Sequence, residues 1–428
     1  MKDWRIILAL FLNFVFFSVV MSSDGILILQ VQKHYGTAPS VAGILGGCRD
    51  LSVAVGAVLL SAYVVRIGYK RTMLIALAMV AAISAWVPLG NSFTTIELLF
   101  VVTGVAFALM KSAIFASLGL LAHDIKHHAS LMSYLEATYA CGTFAGYFIF
   151  SAYGDDAHLG STRWLLIYYM VAATAVLALA WLWAVPFDES EVRQKEQPSQ
   201  SLILDFLAMF KLATTAVAAA FVASVFTYDM LGEGVMKWLP TFNSEVLHIP
   251  VTLSIQLSSI LAASAVLGRI LGGIAVRFFH WLGVLLVCLG LAAILVVIAL
   301  PLAATVSTVP IVSWQTAPLA AFIFPLIGMV TAPIYPVINS VMLSSLPPRQ
   351  QGAMSGLIIL SSALGATAGS LITGKVFQIY GGALAFYWTL IPIALLAGCL
   401  VLLNALEKRA IARRSVVELS APTVTPIS

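Results

Sequence analysis

Eight charged residues stand inside stretches of this chain that are otherwise apolar: Asp24, Arg49, Asp50, Lys111, Glu136, Asp229, Glu233 and Arg269. A charge at the centre of a bilayer costs roughly 2.5–3.5 kcal/mol on insertion scales, so charges kept there need partners or a water-filled cavity. Asp24 follows Ser22 and Ser23. A carboxylate in such a polar patch either carries an exchangeable proton or caps a helix break beside Gly25. Arg49 and Asp50 are adjacent, so on a helix they point about 100° apart and each meets a residue of a neighbouring helix. Arg49 then binds an anionic group of a solute or belongs to a buried structural network. Lys111 either faces a carboxylate or phosphate on a solute or neutralises Glu136, itself a candidate proton carrier. Asp229 and Glu233 are four apart and share a helix face. Glu233 and Lys237 repeat that step, giving a stripe for a proton or substrate, or a salt bridge that seals an outer gate. Lys237 lies near a span end, where snorkelling accounts for it. Arg269 stands two turns before Arg277, and both, with Arg66, are read as gating residues. Pro333 and Pro336 interrupt a helix. Tyr335 and Asn339 beside them share a face, and either line a cavity or mark a plain kink.

Other groups exclude chemistry. His123, His127 and His128 with Asp124 mimic a metal motif, but they fall on a short turn at a membrane surface and are read as solvated. Cys48, Cys141, Cys288 and Cys399 lie within apolar segments without metal spacing and are read as packing residues. No GxxxxGK[ST] loop is present, so neither ATP nor any other cofactor is implied. An enzyme acting on lipid-linked substrates would need acids facing the histidine turn, and no loop supplies them. A sensor would need a signalling domain, and the loops leave no room for one.

These residues must be positioned by helices in a membrane. Of the 428 residues, 61% are hydrophobic and 9% charged, and the mean hydropathy is +1.02. That is too little polar material for a soluble surface. Twelve segments are long enough to span, at about 6–31, 40–65, 72–90, 95–121, 129–153, 164–187, 213–239, 251–276, 281–303, 317–345, 352–379 and 383–405. The fold class is all-α integral membrane. Loops on the side of both termini carry most of the Lys and Arg, which places the termini in the cytoplasm and the protein in the cytoplasmic (inner) membrane. The formal charge of +4 is a topology signal and implies no nucleic acid; the basic stretch Lys408–Arg414 is read as a stop-transfer flank at the lipid surface. Trp164, Tyr168, Tyr169, Tyr387 and Trp388 fit an interfacial aromatic belt. The polar stretch Asp188–Ser201 reads as a linker. It divides the chain, at about 1–187, 188–211, 212–407 and 408–428, into an N-terminal six-helix bundle, a cytoplasmic linker, a C-terminal six-helix bundle and a cytoplasmic tail.

The halves enter the membrane in the same sense, as a parallel repeat about a pseudo-two-fold axis along the membrane normal does. Gly142–Gly146 in span five and Gly365–Gly369 in span eleven are small-residue pairs at corresponding places, suited to close helix approach. With the loop Ser61–Arg71 (SAYVVRIGYKR), this organisation resembles the major facilitator superfamily. Arg66, Gly68, Lys70 and Arg71 match its signature; Ser61 stands at the leading Gly and Val65 at the acidic position, and Val276 likewise precedes Arg277. The missing acidic residue puts that family's cytoplasmic latch in doubt. Ser23-Asp24-Gly-Ile-Leu and Tyr228–Phe242, with Gly232, Glu233 and Trp238, are similar to the fucose–proton symporter branch, whose acidic residue at the place of Asp24 is implicated in proton coupling; Lys111 departs from it by a charge reversal. The resemblance implies a monomeric secondary transporter that moves a small polar solute by alternating access with protons as coupling ion. Lys111 and Arg49 favour an organic anion or acidic sugar, with Asp229, Tyr335 and Asn339 beside it. An exporter of amphipathic compounds with the same fold is the alternative.

Overall fold

In the computed structural model the described residues are 4–121, 125–158, 160–187, 211–303, 310–345 and 348–420, and every regular element among them is helical. Helices α1 (Trp4–Tyr35), α2 (Pro39–Ile67), α3 (Tyr69–Gly90), α4 (Phe93–Leu121), α5 (Ile125–Ser151) and α6 (Arg163–Ala184) form one bundle. The second comprises α7 (Ala216–Glu245), α8 (Val251–Phe278), α9 (Trp281–Ala303), α10 (Ala320–Met342, its last turn reaching Ser345), α11 (Pro348–Tyr380) and α12 (Gly382–Tyr387 followed by Leu390–Ser420). Among the described residues ten helices are long and apolar enough to cross a membrane; α2 and α5 are 29 and 27 residues long. In lipid a helix satisfies its own backbone, which is why apolar runs of this length take no other form. Twelve crossings return both ends of the chain to one face, here the terminal face; the opposite one is the distal face. The expected linker at 188–211 lies, apart from its last residue, outside the described residues, as do 421–428 of the expected tail. Helix α12 continues to Ser420, beyond the expected start of the tail at 408.

Without a hydrophobic force between helices in lipid, close approach depends on small residues, and the two glycine pairs occupy equivalent seams. A Cβ on Gly142 would meet the Val15 carbonyl and Ser18 of α1, and one on Gly146 would meet Val19 and Ser22. A Cβ on Gly365 would strike the Phe226 carbonyl of α7, and one on Gly369 the Met230 carbonyl. The expected duplication is thus expressed as matched α1–α5 and α7–α11 contacts. Across the halves, α2 packs on α11, α5 on α8, and the distal part of α1 on α7.

Two helices are interrupted. Helix α1 breaks after Met21 and resumes at Asp24, and the hydroxyls of Ser18, Ser22 and Ser23 donate to carbonyls one turn back, which bends helices. Helix α10 breaks between Thr331 and Ile334, at the expected proline site. Gly272 of α8 lies against Pro333 there. The aromatic belt needs correction: Trp164 and Tyr168 are buried, because α6 presents them to the core, whereas Tyr169 and Trp388 are exposed as expected.

Overpacking a well-filled seam costs about 1–3 kcal/mol. Gly365→Val should therefore lower the apparent melting temperature of the detergent-solubilised protein by several degrees. Gly290→Ala, where nothing lies within 4 Å of the new Cβ, should leave it unchanged. Equal melting temperatures for both variants would contradict the seam.

Candidate functional site

The break in α1 exposes a fresh helix start, and Asp24 occupies its first turn, where a carboxylate is favoured by the helix dipole. Gly25 follows directly, and its lack of a side chain lets α1 meet the carbonyl of Lys237 on α7. The adjacent Arg49 and Asp50 diverge as helical geometry requires, each reaching a different neighbour. The Arg49 guanidinium donates to the Asp24 carboxylate and, at 3.4 Å, to the Met21 carbonyl freed by the break, and its Cζ lies 4.2 Å over the Phe100 ring. Asp50 accepts from Lys237 Nζ at 2.5 Å. Lys237 also stands 3.5 Å from Glu233 and 4.0 Å from Asp24. Three carboxylates and two cations thus form one cluster contributed by α1, α2 and α7. It lies about 12–18 Å below the distal helix ends at 1.5 Å per residue. Side-chain exposure rises from 0% at Lys237 and 1% at Arg49 to 14% at Asp50 and 30% at Glu233, so Glu233 is the member that meets open space.

Between this cluster and the distal face the halves are shut. The Ser370 hydroxyl of α11 donates to the Gly43 carbonyl of α2 at 2.9 Å, while the Trp238 indole donates to the Ser370 carbonyl at 3.0 Å. Gln32 donates to Thr241 at 3.3 Å, and Lys33 pairs with Glu245 at 2.5 Å. At the other seam the Asp156 carboxylate accepts from the backbone N–H and hydroxyl of Thr252, capping the start of α8 from the opposite half. Gln256 there bridges Ser151 and Trp314.

On the terminal side of the cluster lies a cavity of about 300 Å³ bounded by α7, α8, α10 and α11. Tyr228, Asp229, Glu233, Arg269, Tyr335 and Ser362 give it its polar character. The Tyr228 and Tyr335 rings stand 5.6 Å apart, and the Ser362 hydroxyl donates to the Asp229 carboxylate. Gly232 leaves its side of α7 open, with nothing within 4 Å of a Cβ.

The expected site residues divide accordingly. Asp24, Arg49 and Glu233 meet in the cluster, whereas Asp229, Glu233, Tyr335 and Arg269 meet in the cavity. Arg49 is held by Asp24 and fully buried, so it has no face turned to a solute. Lys111 sits between the rings of Phe107 and Phe115, 5.8 and 5.3 Å from their centroids. It forms no ion pair with Glu136 among the described residues, and Glu136 is exposed. Asn339 is half-buried one turn beyond Tyr335, its side-chain oxygen without a partner. Arg269 and Arg277 are both exposed on α8, and Arg269 borders the cavity. The side chain of Arg66, the turn at His123 and the side chains of His127 and His128 lie outside the described residues. Lys237 is the residue whose part the sequence concealed: it is at the centre of the cluster, with no snorkelling path.

The sequence profile described as Major Facilitator Superfamily matches residues 6–370. No curated protein sequence matches the chain. Among solved structures, it is similar to a bacterial homolog of the human lysosomal transporter Spinster in an inward-facing, occupied conformation (TM-score 0.76, 14% identity, 95% of this chain and 98% of that one). It is also similar to the nucleoside transporter NupG (TM-score 0.72, 15% identity, 93% and 98%) and to a D-xylose–proton symporter (TM-score 0.69, 14% identity, 94% and 97%). At such identities the likeness concerns the fold alone.

Removing one partner of a buried ion pair costs about 3–5 kcal/mol, because the other charge is left uncompensated. Lys237→Met should lower the apparent melting temperature sharply, and Lys237→Met with Asp50→Asn should recover much of the loss. A single variant as stable as the parent would mean that Lys237 does not hold these carboxylates.

Proposed function

The chain belongs to the Major Facilitator Superfamily and is a transporter rather than an enzyme; from that premise we propose that it moves a small polar solute bearing an acidic group, an organic anion or sugar-like acid, together with protons. The carrying observation is the cluster of Asp24, Arg49, Asp50, Glu233 and Lys237, which both halves share and which stands between the cavity and the closed distal seam. Three carboxylates against two cations leave one negative charge over, and one bound proton balances it. To open the distal face, α7 must leave α1 and α2, so Lys237 must leave Asp24 and Asp50. A proton taken up by one of these carboxylates weakens that hold. A ligand shifts such an equilibrium only by binding one state better than the other, and the proton meets that condition because its carboxylates are paired differently in the two states.

On this reading Asp24 and Glu233 carry the coupling proton, Glu136 relays it from the terminal side, and Arg49 positions Asp24 instead of contacting solute. Lys111, half-exposed between two phenylalanine rings, adds positive potential for an acidic solute, and Asp229, Arg269, Tyr335 and Asn339 lie at or beside the binding cavity. The excess of Lys and Arg in the loops of the terminal face supports a cytoplasmic position for that face, in the reading of an inner-membrane protein. The shut distal seam then makes the described state inward-facing. The protein acts as a monomer, since each half finds its partner within the chain.

Proteoliposomes supply the test. Solute from a panel of carboxylates, acidic sugars and amino acids, added outside, should draw protons inward and alkalinise the medium. In Asp24→Asn and Glu233→Gln, solute counterflow should persist while proton movement falls at least about tenfold, the effect of ~1.4 kcal/mol. Proton movement undiminished in both variants would remove the cluster from coupling. A second measurement concerns the seam: in a background free of native cysteines, a Gln32→Cys/Thr241→Cys disulfide should stop transport, and reductant should restore it. Transport unaffected by the cross-link would contradict opening at that face.

A further inference from the structure

Within the transporter reading above, we infer that the solute is a zwitterion, with an ammonium group received by Asp229 and a carboxylate received by Arg269. Both residues line the same cavity, and neither has a counter-ion among the described residues. Asp229 accepts only the Ser362 hydroxyl. They do not cancel each other: among the described residues no ion pair joins them. The cavity therefore holds one unmatched anion and one unmatched cation at separate places.

That arrangement selects among solute classes. A simple organic anion would satisfy Arg269 but bring its charge into the field of Asp229. A neutral sugar would leave both charges without counter-ions as water is excluded, where electrostatic interactions strengthen. A zwitterion supplies both counter-charges. Tyr228 and Tyr335 strengthen the ammonium end, since aromatic faces attract cations. Gly232, open beside Asp229, leaves room for the backbone of a small molecule, and about 300 Å³ restricts its size. Glu233 is already 3.5 Å from Lys237, so it is not the free carboxylate that the ammonium requires. One proton carried with a net-neutral solute transfers one positive charge, which makes inward movement electrogenic.

The experiment uses the purified full-length protein in detergent and in proteoliposomes. The probes are matched sets of phenylalanine, proline and 4-aminobutyrate, each with its N-acetyl acid and its methyl ester, beside plain carboxylates and sugars. At least one amino acid should raise the melting temperature and exchange in counterflow. Its N-acetyl and ester forms should bind at least about tenfold more weakly, a loss of ~1.4 kcal/mol. Asp229→Asn should erase the discrimination against the N-acetyl form, and Arg269→Gln that against the ester; Asp229→Glu and Arg269→Lys, which keep the charges, guard against effects of misfolding. N-acetyl acids or plain carboxylates binding as well as the amino acids would overturn the zwitterion while leaving an anion transporter standing. Sugars alone responding would do the same in favour of a neutral solute. If no probe in any class is bound or exchanged, the transport reading itself falls with it.

Discussion

A charge in hydrocarbon must find a partner, and the rest of this structure follows from how five of them do so. Arg49 and Lys237 are buried as completely as any side chain in the protein, which is tolerable only because Asp24, Asp50 and Glu233 come to them from three helices. Bringing those helices together requires backbones to approach closely, and that in turn requires small residues at the seams: Gly25 against Lys237, Gly43 and Gly46 against α11 and the Lys237 stem, and the serines where α1 bends. The helix break at Ser22–Ser23 belongs to the same requirement. It frees the Met21 carbonyl for Arg49 and places Asp24 at a helix start, where the backbone itself favours a carboxylate. The helix-cap explanation of Asp24 is not realised: Ser23 stands at the cap position and makes no side-chain capping bond, while the Asp24 carboxylate, in the first turn, pairs with Arg49.

The fold was legible because its determinants are local. Apolar length gives the helices, the glycine pairs give close-packing faces on α5 and α11, and the two prolines give the break in α10. The separate partners of Arg49 and Asp50 were also legible, since a 100° step is a property of any helix. The role of Lys237 was hidden by a boundary. The apolar run of span seven fades at about residue 239, which makes Lys237 look terminal. Helix α7 instead runs to Glu245, its last turns paired across the seam through Thr241 and Glu245, and Lys237 is left deep. Polar contacts between halves extend a helix beyond what hydropathy can register. The pairing of Lys111 with Glu136 failed for a related reason. Charge complementarity alone does not give distances, and two phenylalanines on its own helix hold Lys111 instead.

The two halves share a fold and divide its labour. In the N-terminal half the deep charges Asp24, Arg49 and Asp50 are committed to one another and to Lys237. In the C-terminal half Asp229 and Arg269 face a cavity with no ionic commitment among the described residues. An equal distribution would serve transport less well. A site whose charges were all internally paired would offer a solute nothing that water does not, whereas a seam made of unpaired charges would not close.

Glu233 is the one residue that belongs to both sets, lining the cavity while lying within ion-pair distance of Lys237. This gives the proposed coupling a physical route that needs no long pathway. A solute group or proton that engages Glu233 competes for it with Lys237, and Lys237 must then draw more heavily on Asp50 and Asp24. Conversely, a proton on Asp50 or Asp24 releases Lys237 towards Glu233 and changes what the cavity presents to a solute. Linkage requires that the two influences be equal in size. A shared partner between two sites produces that reciprocity directly, because the same ammonium group cannot fully neutralise both sides at once.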